Sequence, residues 1–143
     1  MACSLSGYEK RGVRLALLLL VLLSPVAQAA GLRSPAAVAQ AFAAAYRGGD
    51  ADAIVALQFF VDDSREQERR AWLRQMRDHS MRSYRLAPLL AQDQALLAGL
   101  PLPPRNKLVV EYESQQQQRR IEAIYLIGWQ GGAYYLLPGH HGR

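Results

Sequence analysis

Residues 107–137 read KLVVEYESQQQQRRIEAIYLIGWQGGAYYLL, and this stretch decides the fold. In Lys107–Glu113 and again in Arg119–Trp129, apolar and polar residues alternate, as they do in a strand that is buried on one face. On the predicted inner face lie Leu108, Val110, Tyr112, Ile121, Ala123, Tyr125, Ile127 and Trp129.

The connections between these runs are short and polar. Residues 114–118 contain four glutamines, and Gln130-Gly131-Gly132 predicts a tight hairpin turn into a last strand at 133–137. Further upstream, Ser83–Leu90 predicts an edge strand, because Pro88 cannot donate a hydrogen bond to an interior ladder. The pattern as a whole predicts an antiparallel sheet, with residues 95–100 ambiguous between strand and helix.

Three helices are predicted ahead of the sheet. Ser34-Pro35 starts the first, because the hydroxyl caps free N–H groups and proline suits the first helical position, and Gly48-Gly49 ends it. Asp50 caps a second helix that runs from Ala51 to about Gln58. Helices followed by a sheet predict an α+β fold in which the helices pack on one face of the sheet.

The third predicted helix starts at Asp63 or Ser64 and runs to about Ser80. Ser64 with Gln67 matches the reciprocal capping pattern, as does Asp63 with Glu66. Its predicted apolar stripe consists of Trp72, Leu73 and Met76.

The N-terminus has the three parts of a secretory signal. Basic residues up to Arg14 precede the apolar run Leu15–Leu23, and Ala27-Gln28-Ala29 provides small residues for cleavage after Ala29. Nine residues of helix rise about 14 Å, which is short of the roughly 30 Å hydrocarbon core of a bilayer. The sequence therefore predicts a signal peptide at 1–29, one domain at 30–143 and export, with the periplasm as the destination. Retention of the segment as a membrane anchor is the alternative.

Composition narrows the class further. The chain has 143 residues, 50% of them apolar and 20% charged, which is typical of a folded core. Its single cysteine, Cys3, precedes the predicted cleavage site, which excludes a disulfide scaffold and a multi-cysteine metal site. The adjacent His140-His141 pair and His79 are the only histidines, and adjacent residues of an extended tail point in opposite directions. Neither a metal nor a cofactor is expected.

Two parts of the chain resemble a known superfamily. Ser34–Leu57, SPAAVAQAFAAAYRGGDADAIVAL, resembles the opening of small exported members of the nuclear transport factor 2-like superfamily. The strand segments VVEYES, RRIEAIYLIGW and GGAYYLL resemble their closing sheet. The superfamily includes SnoaL-like and ketosteroid isomerase-like enzymes and many non-catalytic binding domains. The resemblance implies a curved sheet wrapped around helices as a cone with an apolar pocket, and a homodimer formed through the sheets.

We expect eight aromatic residues to line that pocket: Phe42, Tyr46, Phe59, Phe60, Trp72, Tyr112, Tyr125 and Trp129. Such a pocket predicts an exported binding or accessory module whose partner is a small apolar ligand or an envelope protein. The enzyme alternative is an acid–base catalyst of the isomerase or hydratase type, with Asp62 or Asp63 as the base beside a tyrosine hydroxyl. Against this, both aspartates also suit the cap of the third helix.

The third helix and its exit are strongly basic. Arg70, Arg74 and Arg77 share one side of the helix and suit a phosphate or carboxylate group. Because the sequence predicts export, nucleic acid is not an expected partner. An electrostatic adaptor for anionic envelope components, including weak contact with an anionic membrane surface, is therefore a third hypothesis, and a solvated helix face is the structural alternative.

Overall fold

A computed structural model describes residues 32–97 and 99–138. The predicted signal segment with its cleavage site after Ala29, and the His140-His141 pair, lie outside these described residues. In chain order the described elements are α1 (Pro35–Arg47), α2 (Ala51–Leu57), α3 (Arg65–Asp78), β1 (His79–Pro88), a 3-10 helix (Ala91–Leu96), β2 (Pro104–Ser114), β3 (Arg120–Gln130) and β4 (Ala133–Leu136).

The first two helices begin where their capping residues predict. Ser34 Oγ accepts a hydrogen bond of 3.1 Å from the backbone N–H of Ala37, and Asp50 Oδ1 accepts one of 2.9 Å from Ala53. Each cap satisfies an N–H group that has no partner inside its helix.

Helix α3 has Ser64 as its N-cap residue, as predicted, but it differs from the prediction in its capping bond and in its end. The Ser64 side chain makes no capping hydrogen bond, and Asp62 Oδ1 instead accepts a bond of 3.0 Å from the backbone N–H of Ser64. The helix ends at Asp78 rather than Ser80, because His79 already pairs with Ser114 in the sheet. The reciprocal cap was therefore a wrong prediction.

The apolar stripe of α3 is also narrower than predicted. Trp72 is 1% exposed and Met76 packs against the core, but Leu73 is 42% exposed. A helix turns about 100° per residue, so the face that carries positions 72 and 76 points position 73 towards solvent.

The four strands form one curved antiparallel sheet in the order β1-β2-β3-β4, and the helices pack against it. This α+β arrangement confirms the predicted class. Strand β1 follows α3 directly and forms an edge of the sheet, with Pro88 as its last residue. Gly131 and Gly132 have φ of 60° and 84°, as a two-residue hairpin turn of type I′ requires, and they connect β3 to β4.

The main core fills the space between the helices and the inner face of the sheet. It contains α1, α2 and α3 residues together with alternate residues of β2 and β3, as the periodicity predicts. The largest fully buried side chains are Trp72, Tyr112, Phe42, Ile54, Leu108, Ile127, Leu136, Val38 and Val110.

Residues 89–97 and 99–103 lie across the outer face of the sheet. Leu102, Leu126 and Leu137 form a second buried cluster there, and Gly128 permits the approach, because a Cβ at that position would lie 3.0 Å from Leu102 Cβ. The segment is held by a buried ion pair in which Lys107 Nζ lies 2.9 Å from an Asp93 carboxylate oxygen. This second layer was not predicted from the sequence.

Candidate functional site

Five of the eight predicted lining residues lie together in the main core. Phe42, Tyr46, Trp72, Tyr112 and Tyr125 are each at most 5% exposed. The distances between their ring centroids run from 5.1 Å for Tyr46 and Tyr112 to 6.5 Å for Tyr46 and Trp72. Aromatic rings at these separations are in contact, so the five side chains pack against one another between helices and sheet.

Of the other three predicted lining residues, Phe59 and Trp129 lie elsewhere, and Phe60 lies at the edge of the main core. Phe59 packs with the outer cluster, and its ring centroid is 5.5 Å from that of Tyr135. Trp129 is 41% exposed near the end of β3. Phe60 is half-buried at the edge of the main core, with the Arg65 guanidinium 4.8 Å from its ring centroid.

The buried tyrosine hydroxyls have defined partners. The hydroxyl oxygens of Tyr112 and Tyr125 are 2.9 Å apart and form a hydrogen bond. The Tyr46 hydroxyl donates towards two backbone carbonyl oxygens, at 2.9 Å from His79 and 3.1 Å from Gln75. Tyr46 thereby connects α1 to the junction of α3 and β1.

These hydroxyls are held in the protonated form. Burial raises the pKa of Tyr46 and of Tyr112 far above the usual value, because the interior disfavours the phenolate. Burial also raises the pKa of Tyr125 to about 12, with the hydrogen bond shared with Tyr112 opposing the shift and the negative charge of Glu68 adding to it. Near neutral pH the three tyrosines are therefore uncharged.

A polar network borders the aromatic rings. The Gln58 side chain is 4% exposed, its Nε2 donates a hydrogen bond of 3.0 Å to Glu68 Oε2, and its Oε1 accepts one of 3.2 Å from Trp72 Nε1. This orientation of the amide follows from chemistry, because indole N–H only donates and a carboxylate only accepts. We call Gln58, Glu68, Trp72 and Tyr125 the Glu68 site.

Neither Gln58 nor Glu68 was among the predicted site residues. Glu68 lies one helical turn before Trp72 on α3 and is half-buried. The four-residue spacing places it on the same helix face as the most buried residue of α3. That spacing is the sequence signal that would have identified Glu68.

The two predicted candidate bases lie at the surface. Asp62 and Asp63 are both exposed in the turn before α3. Hydrogen bonds from Ser64 lower the pKa of Asp62 below its usual value. A carboxylate that acts as a general base near neutral pH needs a raised pKa rather than a lowered one.

The three predicted anion-binding arginines lie on the solvent side of α3. Arg70 pairs with Glu66 and Arg77 with Asp78, each through Nε at 2.8 Å from a carboxylate oxygen, and Arg74 is also exposed. Exposed pairs of this kind exchange readily with other anions, because each contributes little free energy.

Residues 32–97 and 99–138 contain no group of three or more histidine, cysteine, aspartate or glutamate side chains that could hold a metal ion. His79, which begins β1, packs its ring 6.4 Å from that of Tyr112. Its Nδ1 atom is buried and has no hydrogen-bond partner in the described part of the chain.

Family models, curated proteins and solved structures provide no match to this chain. Within the described ranges, no helix has the length and apolar character needed to cross a membrane. Function is therefore inferred from the residues of the Glu68 site and its surroundings.

Proposed function

We propose that this chain is an exported small-ligand-binding or accessory module with a cone of the nuclear transport factor 2-like type. The order of three helices before a curved sheet supports the cone, as does the sequence resemblance at residues 34–57 and 107–137. The predicted signal segment supports export and cleavage after Ala29. Mass spectrometry of the periplasmic fraction tests the proposed localisation, and the expected mature chain begins at Ala30.

One observation carries the binding function: a half-buried carboxylate and amide border a buried aromatic cluster. Gln58 and Phe60 lie on the segment that leads from α2 towards α3, and Glu68 reaches Gln58 from α3. Behind them lie the rings of Trp72 and Tyr125, whose centroids are 5.4 Å apart. Apolar walls with a few oriented polar groups are typical of small-ligand sites. The ligand enters by displacing the half-buried ring of Phe60.

Benzyl alcohol is a suitable neutral aromatic probe for this proposal. Trp129→Phe leaves Trp72 as the single tryptophan of the chain, so its fluorescence reports on the Glu68 site. We expect a saturable change in Trp72 emission, and retention of the probe in equilibrium dialysis.

A variant at the proposed entrance and a matched control locate the binding. Phe60→Ala should change the affinity for benzyl alcohol, whereas Val61→Ala, at a position that is 75% exposed, should leave it unchanged. Absence of both the emission change and the retention would contradict the binding function.

An acid–base enzyme of the isomerase or hydratase type is the second candidate, and one observation favours it. Glu68 binds Gln58, which also binds Trp72, and the ring of Tyr125 lies 5.4 Å from that of Trp72, so a carboxylate and a hydroxyl border the same aromatic rings. The expected activity is exchange of the α-protons of cyclohexanone for deuterium, followed by NMR. Glu68→Gln must abolish the exchange if Glu68 is the base, and an unchanged rate would refute this role.

An electrostatic adaptor is the third proposal, supported by the exposure of Arg70, Arg74 and Arg77 along one helix face. Vesicles that contain anionic lipid should bind the protein at low salt and release it as ionic strength rises. Binding without salt dependence, or binding that survives replacement of the three arginines by glutamine, would contradict the adaptor.

A further inference from the structure

We propose that the solvent side of α3 binds an anionic lipid bilayer, with Leu73 inserted among the lipid headgroups and the arginines around it bound to lipid phosphates. This inference rests on the electrostatic adaptor proposed above and names its partner. The position of Leu73 on the helix, the charges around it and the chemistry of anionic surfaces each support it.

Leu73 lies within the basic side of α3. Positions 70, 73, 74 and 77 are separated by three or four residues, so their side chains form one stripe along the helix. The stripe faces away from Trp72, which is 1% exposed and marks the side of α3 that packs on the core. Leu73 itself is 42% exposed. The helix therefore presents an apolar side chain to solvent between arginines.

The charges of this region favour an anionic partner. Seven arginines and three acids in residues 65–85 leave a net charge of +4 with every acid ionised. Arg70 pairs with Glu66 and Arg77 with Asp78, but all four side chains are exposed by 40% or more, and pairs of this kind contribute little free energy. A surface dense in phosphates can therefore compete for these arginines.

The exposed leucine distinguishes a bilayer from other polyanions. A bilayer presents phosphates with an apolar layer directly beneath them, so one surface can bind the arginines and bury Leu73. Arginine suits this interface, because its apolar stem lies along apolar groups while the guanidinium stays in the polar layer. An anionic glycan or an acidic peptide offers the charge without a continuous apolar layer. Binding strength at such an interface rises with the buried apolar area and with the attraction to anionic lipid.

Sedimentation with vesicles of equimolar phosphatidylcholine and phosphatidylglycerol measures the binding, and vesicles of phosphatidylcholine alone are the control for charge. The processed chain from the periplasm is used, because the apolar run Leu15–Leu23 would itself bind lipid. We expect binding to the anionic vesicles alone. Leu73→Ser should weaken it about fivefold, which corresponds to the burial of the exposed part of one leucine.

Leu90→Ser is the matched control. Leu90 is 48% exposed, close to the value for Leu73, but it lies on the segment that covers the outer face of the sheet, whereas α3 packs on the inner face. This variant should bind the anionic vesicles as tightly as the unchanged chain.

Two charge variants separate the role of the arginines from that of the leucine. Arg74→Gln should weaken binding about fivefold at low salt, and its effect should shrink as ionic strength rises, whereas the effect of Leu73→Ser should not. Glu66→Gln should strengthen binding, because it removes a negative charge from the same side of the helix and releases Arg70.

The outcomes separate the lipid inference from the adaptor. If Leu73→Ser binds the vesicles like the unchanged chain, or loses no more than Leu90→Ser does, the insertion is overturned and the electrostatic adaptor stays intact. Binding to polyaspartate that is as tight per acidic group as binding to the vesicles would have the same meaning, because charge alone would then suffice. Weaker binding by Glu66→Gln would contradict the role of the helix charge, and no binding to the anionic vesicles would overturn both proposals.

Discussion

The hydroxyl pair of Tyr112 and Tyr125 allows a sharp test of how the interior is stabilised. The two oxygens are 2.9 Å apart, and the residues are 0% and 3% exposed. Tyr112→Phe removes one hydroxyl and leaves the buried hydroxyl of Tyr125 without its hydrogen-bond partner in this pair. The cost of an unsatisfied buried polar group is about 1–3 kcal/mol, so each single phenylalanine variant should lose about that much free energy of unfolding.

The double variant should lose much less than the sum of the two single variants. Once both hydroxyls are gone, no buried oxygen of this pair is left unsatisfied, and replacing both partners by apolar groups is often nearly neutral. We therefore expect a coupling energy of about 1–2 kcal/mol in a double-mutant cycle. Urea unfolding followed by far-UV circular dichroism measures it, because that signal comes mainly from the peptide backbone.

The control pairs Tyr112→Phe with Tyr135→Phe. Tyr135 packs in the cluster on the outer face of the sheet, so its effect should add to that of Tyr112→Phe within about 0.5 kcal/mol. Strict additivity for Tyr112 and Tyr125 would refute the reasoning, since it would mean that the two hydroxyls do not depend on each other for their hydrogen bonding.

Three further predictions concern the buried groups of Asp93, Tyr125 and His79. The Leu90 N–H and the Lys107 ammonium hold the pKa of Asp93 below its usual value, so the ion pair stabilises the fold above about pH 4 and is lost as pH falls through the folded-state pKa. Asp93→Asn should be less stable at pH 7, and its free energy of unfolding should decrease less on acidification. An acid transition identical to that of the unchanged chain would contradict this. Because the pKa of Tyr125 is raised to about 12, the stability that its hydroxyl contributes should be complete below pH 10 and decline between pH 10 and 12. Over that range, the urea midpoint of Tyr125→Phe should decrease less than that of the unchanged chain. His79→Phe replaces the unpartnered buried Nδ1 by carbon and should raise the free energy of unfolding by about 1 kcal/mol, whereas a loss of stability would show that Nδ1 is satisfied.

The secondary structure was largely predictable because its signals are local. Ser34 and Asp50 cap the helices that they were predicted to cap, and the glycines at 131 and 132 make the predicted hairpin turn. The start of α3 was predicted at Ser64, but its cap was not, because the Ser64 side chain makes no capping hydrogen bond and the Asp62 carboxylate binds the N–H of Ser64 itself. A capping pattern in the sequence identifies a side chain that could bind, but the backbone geometry of the turn decides whether the bond forms.

The candidate site was predicted only in part, and the missing part is polar. Aromatic residues at the strand and helix spacing identified Phe42, Tyr112 and Tyr125, since apolar side chains are buried wherever the periodicity turns them inward. Gln58 and Glu68 were not found, because a polar side chain is buried only if a partner meets it there. The partners lie on the segment after α2 and on α3, and their meeting depends on how these elements pack.

The sequence by itself determines the local features of this protein, because each depends on residues that are near neighbours in the chain. These features are the order of the elements, the helix caps, the alternation in the strands and the apolar faces. Packing alone decided that Lys107 would be buried against Asp93, that residues 89–97 and 99–103 would cover the outer face of the sheet, and that Glu68 would meet Gln58. The physical reason is that the free energy of a buried charge depends on its surroundings in three dimensions, and those surroundings exist only after distant segments have come together.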